Sequence, residues 1–363
     1  MFLMKYIKNE ESLACHCESA NVSMADEAIS KQARDKLRDE GSVKRLHYLM
    51  DTFLSIEVFY ADEDKAPPFP EKERDKAKEV VEKAFREAAR IEGVLTRFRE
   101  DSQIYRINNY SFGKPCVITK ELANLISTCI EFSKKAGGAF DITVAPLMEL
   151  WANAAKQNII PLPNELSSLL QNTGYENIIL DSESSTIVFT KSLLKIDFGA
   201  VGKGYALDRI AEILKENRIE KARLDFGGHL YYFDNSELDT EYIGIRNPMS
   251  CEEIIFSIPL ENRSISTSAN YERHFNIQGK RYGHIINPLS GFPVDNRIAS
   301  VSVISPSALE ADILSTAFFA LGLDKGMQLI KNTNEAEAII VTDNNGKPQL
   351  YFSQNYEGGG DAA

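Results

Sequence analysis

The stretch Asp197 to Asp208 reads D-F-G-A-V-G-K-G-Y-A-L-D, and three glycines so close together confine the backbone to a tight turn. Leu193, Leu194 and Ile196 precede it, an apolar run short enough to be a strand. After it, Ala206, Leu207, Ile210, Ile213 and Leu214 recur at helical spacing, with Glu212, Lys215 and Glu216 on the other side. The glycines therefore stand at a strand-to-helix turn. There Gly199, Gly202 and Gly204 let backbone amides approach a ligand, the opening turn of the helix adds unpaired N–H groups, and Lys203 adds a full positive charge. The combination suits a diphosphate. A tight turn that binds nothing makes the same demands on sequence.

Other glycine-rich motifs do not fit. A Walker A loop needs Gly at position 197 and Ser or Thr after the lysine, where this chain has Asp197 and Gly204. The glycines run G-x-x-G-x-G, not G-x-G-x-x-G, which sets aside the dinucleotide fingerprint. D-F-G occurs at 197 and at 225, yet no H-R-D catalytic loop accompanies it, so a protein kinase is excluded.

The formal net charge of −12 argues against a general nucleic-acid binder and makes Lys203, Arg273, Lys280 and Arg281 stand out where they lie near glycines. No apolar run approaches the roughly 18 residues of a membrane span. Cys15, Cys17, Cys116, Cys129 and Cys251 form no disulfide framework, and Cys15-His16-Cys17 lacks two further metal ligands at recognisable spacing. Residues 1 to 14 carry Lys5, Lys8, Glu10 and Glu11 in place of the apolar core of a secretory signal, so the chain as given reads as cytoplasmic.

Residues 1–45 read as a polar appendage, with partial helix from Ala25 to Glu40. Alternation over Met50–Val58 predicts a strand, Lys72–Gly93 and Glu121–Lys135 predict helices, and Gly137-Gly138 stops the second of them. Residues 175–198 predict a hairpin with its loop at Asp181–Ser185, and Ala222–Phe226 a strand that ends at Gly227-Gly228. A hairpin centred on Gly279 would set His274 and His284 opposite one another, and His284 is the better candidate for proton transfer. Ser307 and Glu310 form an S-x-x-E capping box that starts a helix, and Gly322 ends it. On that helix Asp312 and Thr316 lie one turn apart with Ser315 beside them, oxygen donors suited to a hard cation such as Mg2+. A plain polar helix face fits the same spacing. Residues 353–363 read as a tail without structure.

Five blocks, taken together and in order, closely resemble the ApbE flavin transferases, the FAD:protein FMN transferases. They are Met50-Asp-Thr-Phe, Phe98 to Asn108, Ala139 to Trp151, Asp197 to Asp208, and Ser266 to Asp295 leading into Asp312-x-x-Ser315-Thr316. The resemblance covers residues 46–352 and implies an α+β, T-fold-like architecture of mixed and antiparallel sheets with packed helices. It implies Mg2+-dependent transfer of FMN from FAD to a Ser or Thr hydroxyl of a target flavoprotein, releasing AMP. By position, Met50, Phe98, Ala139, Phe140, Asp141, Asp197, Lys203 and the strand His284–Ile286 would contact FAD. The carbonyl of Ala200, with Asp312, Ser315 and Thr316, would surround Mg2+. Lys203 and Asp312 would serve the chemistry, and His284 would accept the hydroxyl proton.

Many relatives are exported lipoproteins, whereas Cys15 lacks an apolar segment before it and Ser12 stands where a lipobox has Leu. The acceptor signature of the family resembles D-x-x-[ST]-[GS]-A-[ST], and this chain has no complete copy, so the acceptor is expected to be another protein. Two other activities share the same residues. An FAD pyrophosphatase would use water in place of the hydroxyl and release FMN and AMP, and a non-catalytic protein would only bind flavin.

Overall fold

The computed structural model describes residues 42–59, 71–235, 240–270, 274–354, 356 and 361–362. The expected helix over Ala25–Glu40, the Cys15–Cys17 cluster and Arg273 lie outside these residues.

Eight strands make the main sheet: β1 (Ser42–Leu49), β2 (Thr52–Phe59), β3 (Lys221–Phe226), β4 (His229–Asp234), β5 (Arg263–Ala269), β6 (Ile298–Ser305), β7 (Glu337–Asn344) and β8 (Lys347–Phe352). Each pairs with the next, and every pair is antiparallel, so order in space follows order in the chain. The long connection from β2 to β3 carries α1 (Glu71–Leu95), α2 (Gln103–Tyr110), α3 (Lys120–Lys135), α4 (Ala145–Gln157), α5 (Pro163–Leu170) and α6 (Gly202–Glu216). The connection from β6 to β7 carries α7 (Ala308–Leu321) and α8 (Leu323–Lys331). The sheet is thus two side-by-side units, each of two strands, a helical excursion and two strands. This is the expected α+β arrangement.

One face of the sheet is covered by helices. Leu54, Ile56 and Val58 alternate inward on β2, and Val80, Val81, Ala84, Phe85 and Ala88 form the buried stripe of α1. Each of these Val, Leu, Ile and Phe side chains contributes about 1.5–3 kcal/mol on full burial. α1 packs on α6, α6 on α7, and α7 lies across β5 and β6. The other face is covered over β4 to β7 by the hairpin Glu241–Asn247 and Ser250–Leu260, through a second core of Tyr232, Ile245, Phe256, Ile258, Ile265 and Val341. No helix of the described residues is long and apolar enough to cross a membrane.

Several sequence expectations change here. β1 begins at Ser42, inside the stretch read as an appendage, and Met50-Asp51 is not strand but the two-residue turn between β1 and β2. Both residues have positive φ, 49° and 61°, the left-handed geometry that two-residue hairpin turns require. Leu193–Ile196 is not a strand either: only Lys195 forms an isolated bridge, to Val144. The backbone of Ile196 is satisfied by a side chain instead, donating to Asn108 Oδ1 at 2.8 Å and accepting from Asn108 Nδ2 at 2.9 Å. The hairpin expected around Gly279 turns at Gln278-Gly279, so His274 pairs with Gly283 and His284 falls one residue beyond the ladder. Within the polar tail, Asp361–Ala362 pairs with Ser257 and Phe256.

Candidate active site

The site forms where the first turn of α6, the strand β5 and the buried face of α7 meet. α7 is apolar on nearly every side, with Ala311, Ile313, Leu314, Ala317, Phe318 and Phe319 all buried, yet it also buries Asp312 and Ser315. A carboxylate taken out of water needs partners. Asp312 Oδ1 accepts the Ser266 hydroxyl at 3.1 Å and lies 3.7 Å from Lys203 Nζ. Asp312 Oδ2 accepts the Gly204 N–H at 3.1 Å and lies 3.7 Å from His229 Nδ1. Burial opposes the charge on Asp312, but Lys203, His229 and the Gly204 N–H outweigh it and hold the carboxyl well below the usual carboxylate range. The site therefore carries a fixed anion at neutral pH.

Hydroxyls continue from it along α7 and β5. Ser315 donates to the Asp312 carbonyl at 3.1 Å, and Ser268 lies 2.9 Å from the Ser315 hydroxyl and 3.4 Å from that of Thr316. Ser315 is fully buried, while Lys203, Ser268 and Thr316 are partly exposed. The accessible donors beside Asp312 are thus hydroxyl oxygens, the chemistry a hard cation prefers. Among the described residues no three His, Cys, Asp or Glu side chains converge to hold a metal. A cation here would depend on hydroxyl, carbonyl and substrate oxygens together with Asp312, as Mg2+ sites commonly do.

The glycines act differently from the sequence reading. Gly204 is buried between helices: a Cβ there would lie 2.4 Å from the Ala308 carbonyl oxygen and 3.0 Å from Asp312 Cβ. Its absence lets α6 and α7 touch, and its amide serves Asp312, not a ligand. The Gly202 N–H is bonded to the Phe198 carbonyl at 2.8 Å, and the Gly199 N–H to Asp197 Oδ1 at 2.7 Å. The expected capping box is half formed. Ser307 accepts the Glu310 N–H at 3.2 Å, but the Glu310 carboxylate accepts the Ser305 hydroxyl instead of the Ser307 N–H.

The remaining candidates occupy distinct places. Met50, at the tip of the β1–β2 turn, donates its N–H to Glu92 Oε1 at 2.6 Å, and its sulfur would lie 3.6 Å from a Cβ on Gly202. Ala200 is partly exposed in the turn before α6. Asp197 pairs with Arg97, whose Nε lies 2.6 Å from its Oδ2 and whose guanidinium stands 4.6 Å from the centre of the Phe98 ring. Phe98 itself is 78% exposed. Ala139 and Phe140 are buried in the core.

Asp141 is turned into its own loop, accepting from the Thr143 N–H and hydroxyl at 2.8 and 2.7 Å and from the Tyr175 N–H at 2.7 Å. Burial outweighs these bonds and pushes its pKa up to about 6. His284 is half-buried and leads into Ile286, which is buried against Trp151 and bridges to Pro293. The Trp151 Nε1–H donates to the Gly291 carbonyl at 2.8 Å and so ties this segment to α4.

Sequence reasoning missed His229, Asn108 and the role of Asp208. His229 follows Gly227-Gly228, a turn with φ of 62° and 85°, and its place at the start of β4 sets it behind Asp312. The glycine pair was the available signal.

Comparison with known proteins adds the family. The model of the ApbE family matches residues 50–340. An FAD:protein FMN transferase of Klebsiella pneumoniae is 31% identical, over 73% of this chain and 83% of that protein. One from Escherichia coli K12 is 28% identical, over 73% and 77%. Among solved structures, the ApbE protein of Thermotoga maritima superposes with a TM-score of 0.74 at 27% identity, covering 87% of this chain and 98% of that one. The flavin transferase ApbE of Vibrio cholerae gives the same TM-score and coverage at 23% identity. With the glycine turn, the β5 hydroxyls and Asp312 all inside the matched region, the chain belongs to the ApbE family.

Proposed function

We propose that this chain transfers FMN from FAD to a Ser or Thr hydroxyl of a target flavoprotein, releasing AMP, with Mg2+ bound beside Asp312. The observation that carries the proposal is the buried, ionised Asp312 flanked by Lys203 and by the hydroxyls of Ser266, Ser268 and Thr316. A protein that only stored flavin would have no use for a buried anion beside a lysine and a row of hydroxyls. The names of the similar proteins support the same reading.

Asp312, Thr316 and the Ala200 carbonyl would hold the cation, with Ser315 supporting Thr316 through Ser268. When bound, Mg2+ would neutralise charge on the diphosphate and on the departing AMP. Lys203 binds the diphosphate from the α6 side. Met50, Phe98, the Ala139–Asp141 loop, Asp197 and Ile286 shape the flavin and adenosine pockets, Asp141 acting through its loop. The acceptor hydroxyl attacks the flavin-side phosphorus and its proton passes to His284. The phosphorus–oxygen bond to AMP breaks, and AMP leaves with the electron pair. The acceptor is a separate flavoprotein with a segment like D-x-x-[ST]-[GS]-A-[ST].

The test mixes purified protein, FAD, Mg2+ and an acceptor carrying that segment. Flavin fluorescence on the denatured acceptor, matched by AMP, is the expected result. AMP with free FMN and no labelled protein would identify an FAD pyrophosphatase instead, and no AMP at all would identify a flavin-binding protein. Full transfer by His284→Ala would remove His284 as the proton acceptor.

A further inference from the structure

Asp208 ends the glycine-rich motif and takes no part in the chemistry above, yet both its oxygens are engaged by the start of α7. Oδ1 accepts the Ala308 N–H at 2.7 Å, and Oδ2 accepts the Leu309 N–H at 3.0 Å and the Ser307 hydroxyl at 2.7 Å. Ser307 in turn accepts the Glu310 N–H. Three of the donors that a helix leaves open at its N-terminus are therefore satisfied, two of them by a side chain from another helix. A carboxylate also suits the positive end of the α7 dipole.

Four residues before Asp208, on the same helix, Gly204 meets α7 again, donating to Asp312. The two helices are thus joined at successive turns, Asp208 to residues 307–309 and Gly204 to Asp312. Asp312 lies four residues beyond Ala308, one turn along α7. Its carboxylate can keep its place between Lys203, His229 and the Gly204 N–H only while that first turn stays seated on α6.

We propose that Asp208 is a positioning residue, which sets Asp312 in register with Lys203 and the β5 hydroxyls by holding the N-terminus of α7 from α6. This rests on the reading of Asp312 as the carboxylate of the cation site. An ordinary helix cap would affect stability alone. Asp208→Asn keeps the size of the side chain but turns an amide donor toward N–H and O–H donors, leaving buried groups unpaired.

The test uses the full chain with FAD present and Mn2+ as the probe, counting free Mn2+ by electron paramagnetic resonance and following unfolding by circular dichroism. Thr119→Ala is the matched control, since Thr119 caps α3 by accepting the Leu122 N–H. Both variants should melt below the parent. Asp208→Asn should bind Mn2+ about tenfold more weakly, within what a lost cap can supply, and Thr119→Ala should stay within about twofold of the parent. Parent-like Mn2+ affinity in a folded Asp208→Asn would overturn the proposal and leave a cap only.

Should Asp208→Asn not fold, Ser307→Ala removes one of the three links and should weaken Mn2+ binding by about two- to threefold, with no change counting against the proposal. Asp312→Ala is measured alongside. Unchanged Mn2+ affinity there would overturn the reading of the cation site itself, and the Asp208 proposal with it.

Discussion

The Gly204 N–H reaches Asp312 Oδ2 across 3.1 Å, and the same glycine leaves no room for a methyl group against the Ala308 carbonyl. The obstruction is backbone, which cannot rotate aside. Gly204→Ala should push α6 from α7, destabilise the protein by about 1–3 kcal/mol as overpacking does, and remove a donor from Asp312. Urea midpoints and FAD turnover measured on the same preparation check this. Unchanged stability with parent turnover would show that the helices do not meet as closely as described.

Asn108 carries the second test. Its side chain bonds both the N–H and the C=O of Ile196, one residue before the motif. Asn108→Ala leaves both groups without their partner, at about 1–3 kcal/mol for each one that stays buried and unpaired. Asn108→Asp keeps an acceptor for the N–H and should lie between Ala and the parent. An Asn108→Ala protein with the parent's urea midpoint would mean that the turn is anchored elsewhere.

These positions also show what could be read from sequence. The helix after the glycines, a hairpin inside residues 175–198 (Ile178–Asp181 with Thr186–Phe189) and the capped helix bearing Asp312 follow from period and end signals, which are local. β1 does not, because Arg45 and His47 lie on the face toward the helices, where His47 stacks on Phe85 with ring centres 3.9 Å apart. Polar residues on the inward face erase the alternation that marks a strand. Leu193–Ile196 misled in the opposite way: Leu194 and Ile196 are apolar because they are buried, but the backbone partner of Ile196 is a side chain 88 residues away. Asp312, Ser315 and Thr316 were legible from helical spacing and family likeness. The partners His229, Ser266 and Asp208 were not, since only the meeting of separate elements brings them to α7.

Asp141 predicts a pH dependence of stability. Its pKa in the folded protein, about 6, lies above the ordinary value near 4, so the folded state holds a proton that the unfolded chain gives up. The contribution of the protonated group is complete below about pH 4 and is lost as pH rises through about 6, on the order of 3 kcal/mol in all. Urea unfolding at steps from pH 4 to pH 7 should show this fall in the parent and not in Asp141→Asn. Parallel profiles for the two proteins would exclude Asp141 as its source.

Ser315 and Thr316 are neighbours on α7 with different surroundings, and that difference separates their substitutions. Ser315 is fully buried, and its hydroxyl is engaged by the Asp312 carbonyl and Ser268. Thr316 is partly exposed and shares Ser268 only at 3.4 Å, which leaves lone pairs free to face a cation or phosphate oxygen. Ser315→Ala should therefore lower stability by about 1 kcal/mol, the net worth of a hydrogen bond, and leave most of the turnover. Thr316→Val keeps shape and removes the hydroxyl. It should leave the melting temperature nearly unchanged, yet raise the Mg2+ concentration needed for half-maximal turnover by about tenfold, as the loss of one oxygen ligand implies. Stability from urea unfolding and turnover across an Mg2+ series decide between them: if Ser315→Ala shifts the Mg2+ requirement and Thr316→Val does not, the buried hydroxyl is the ligand and α7 must turn on binding to expose it.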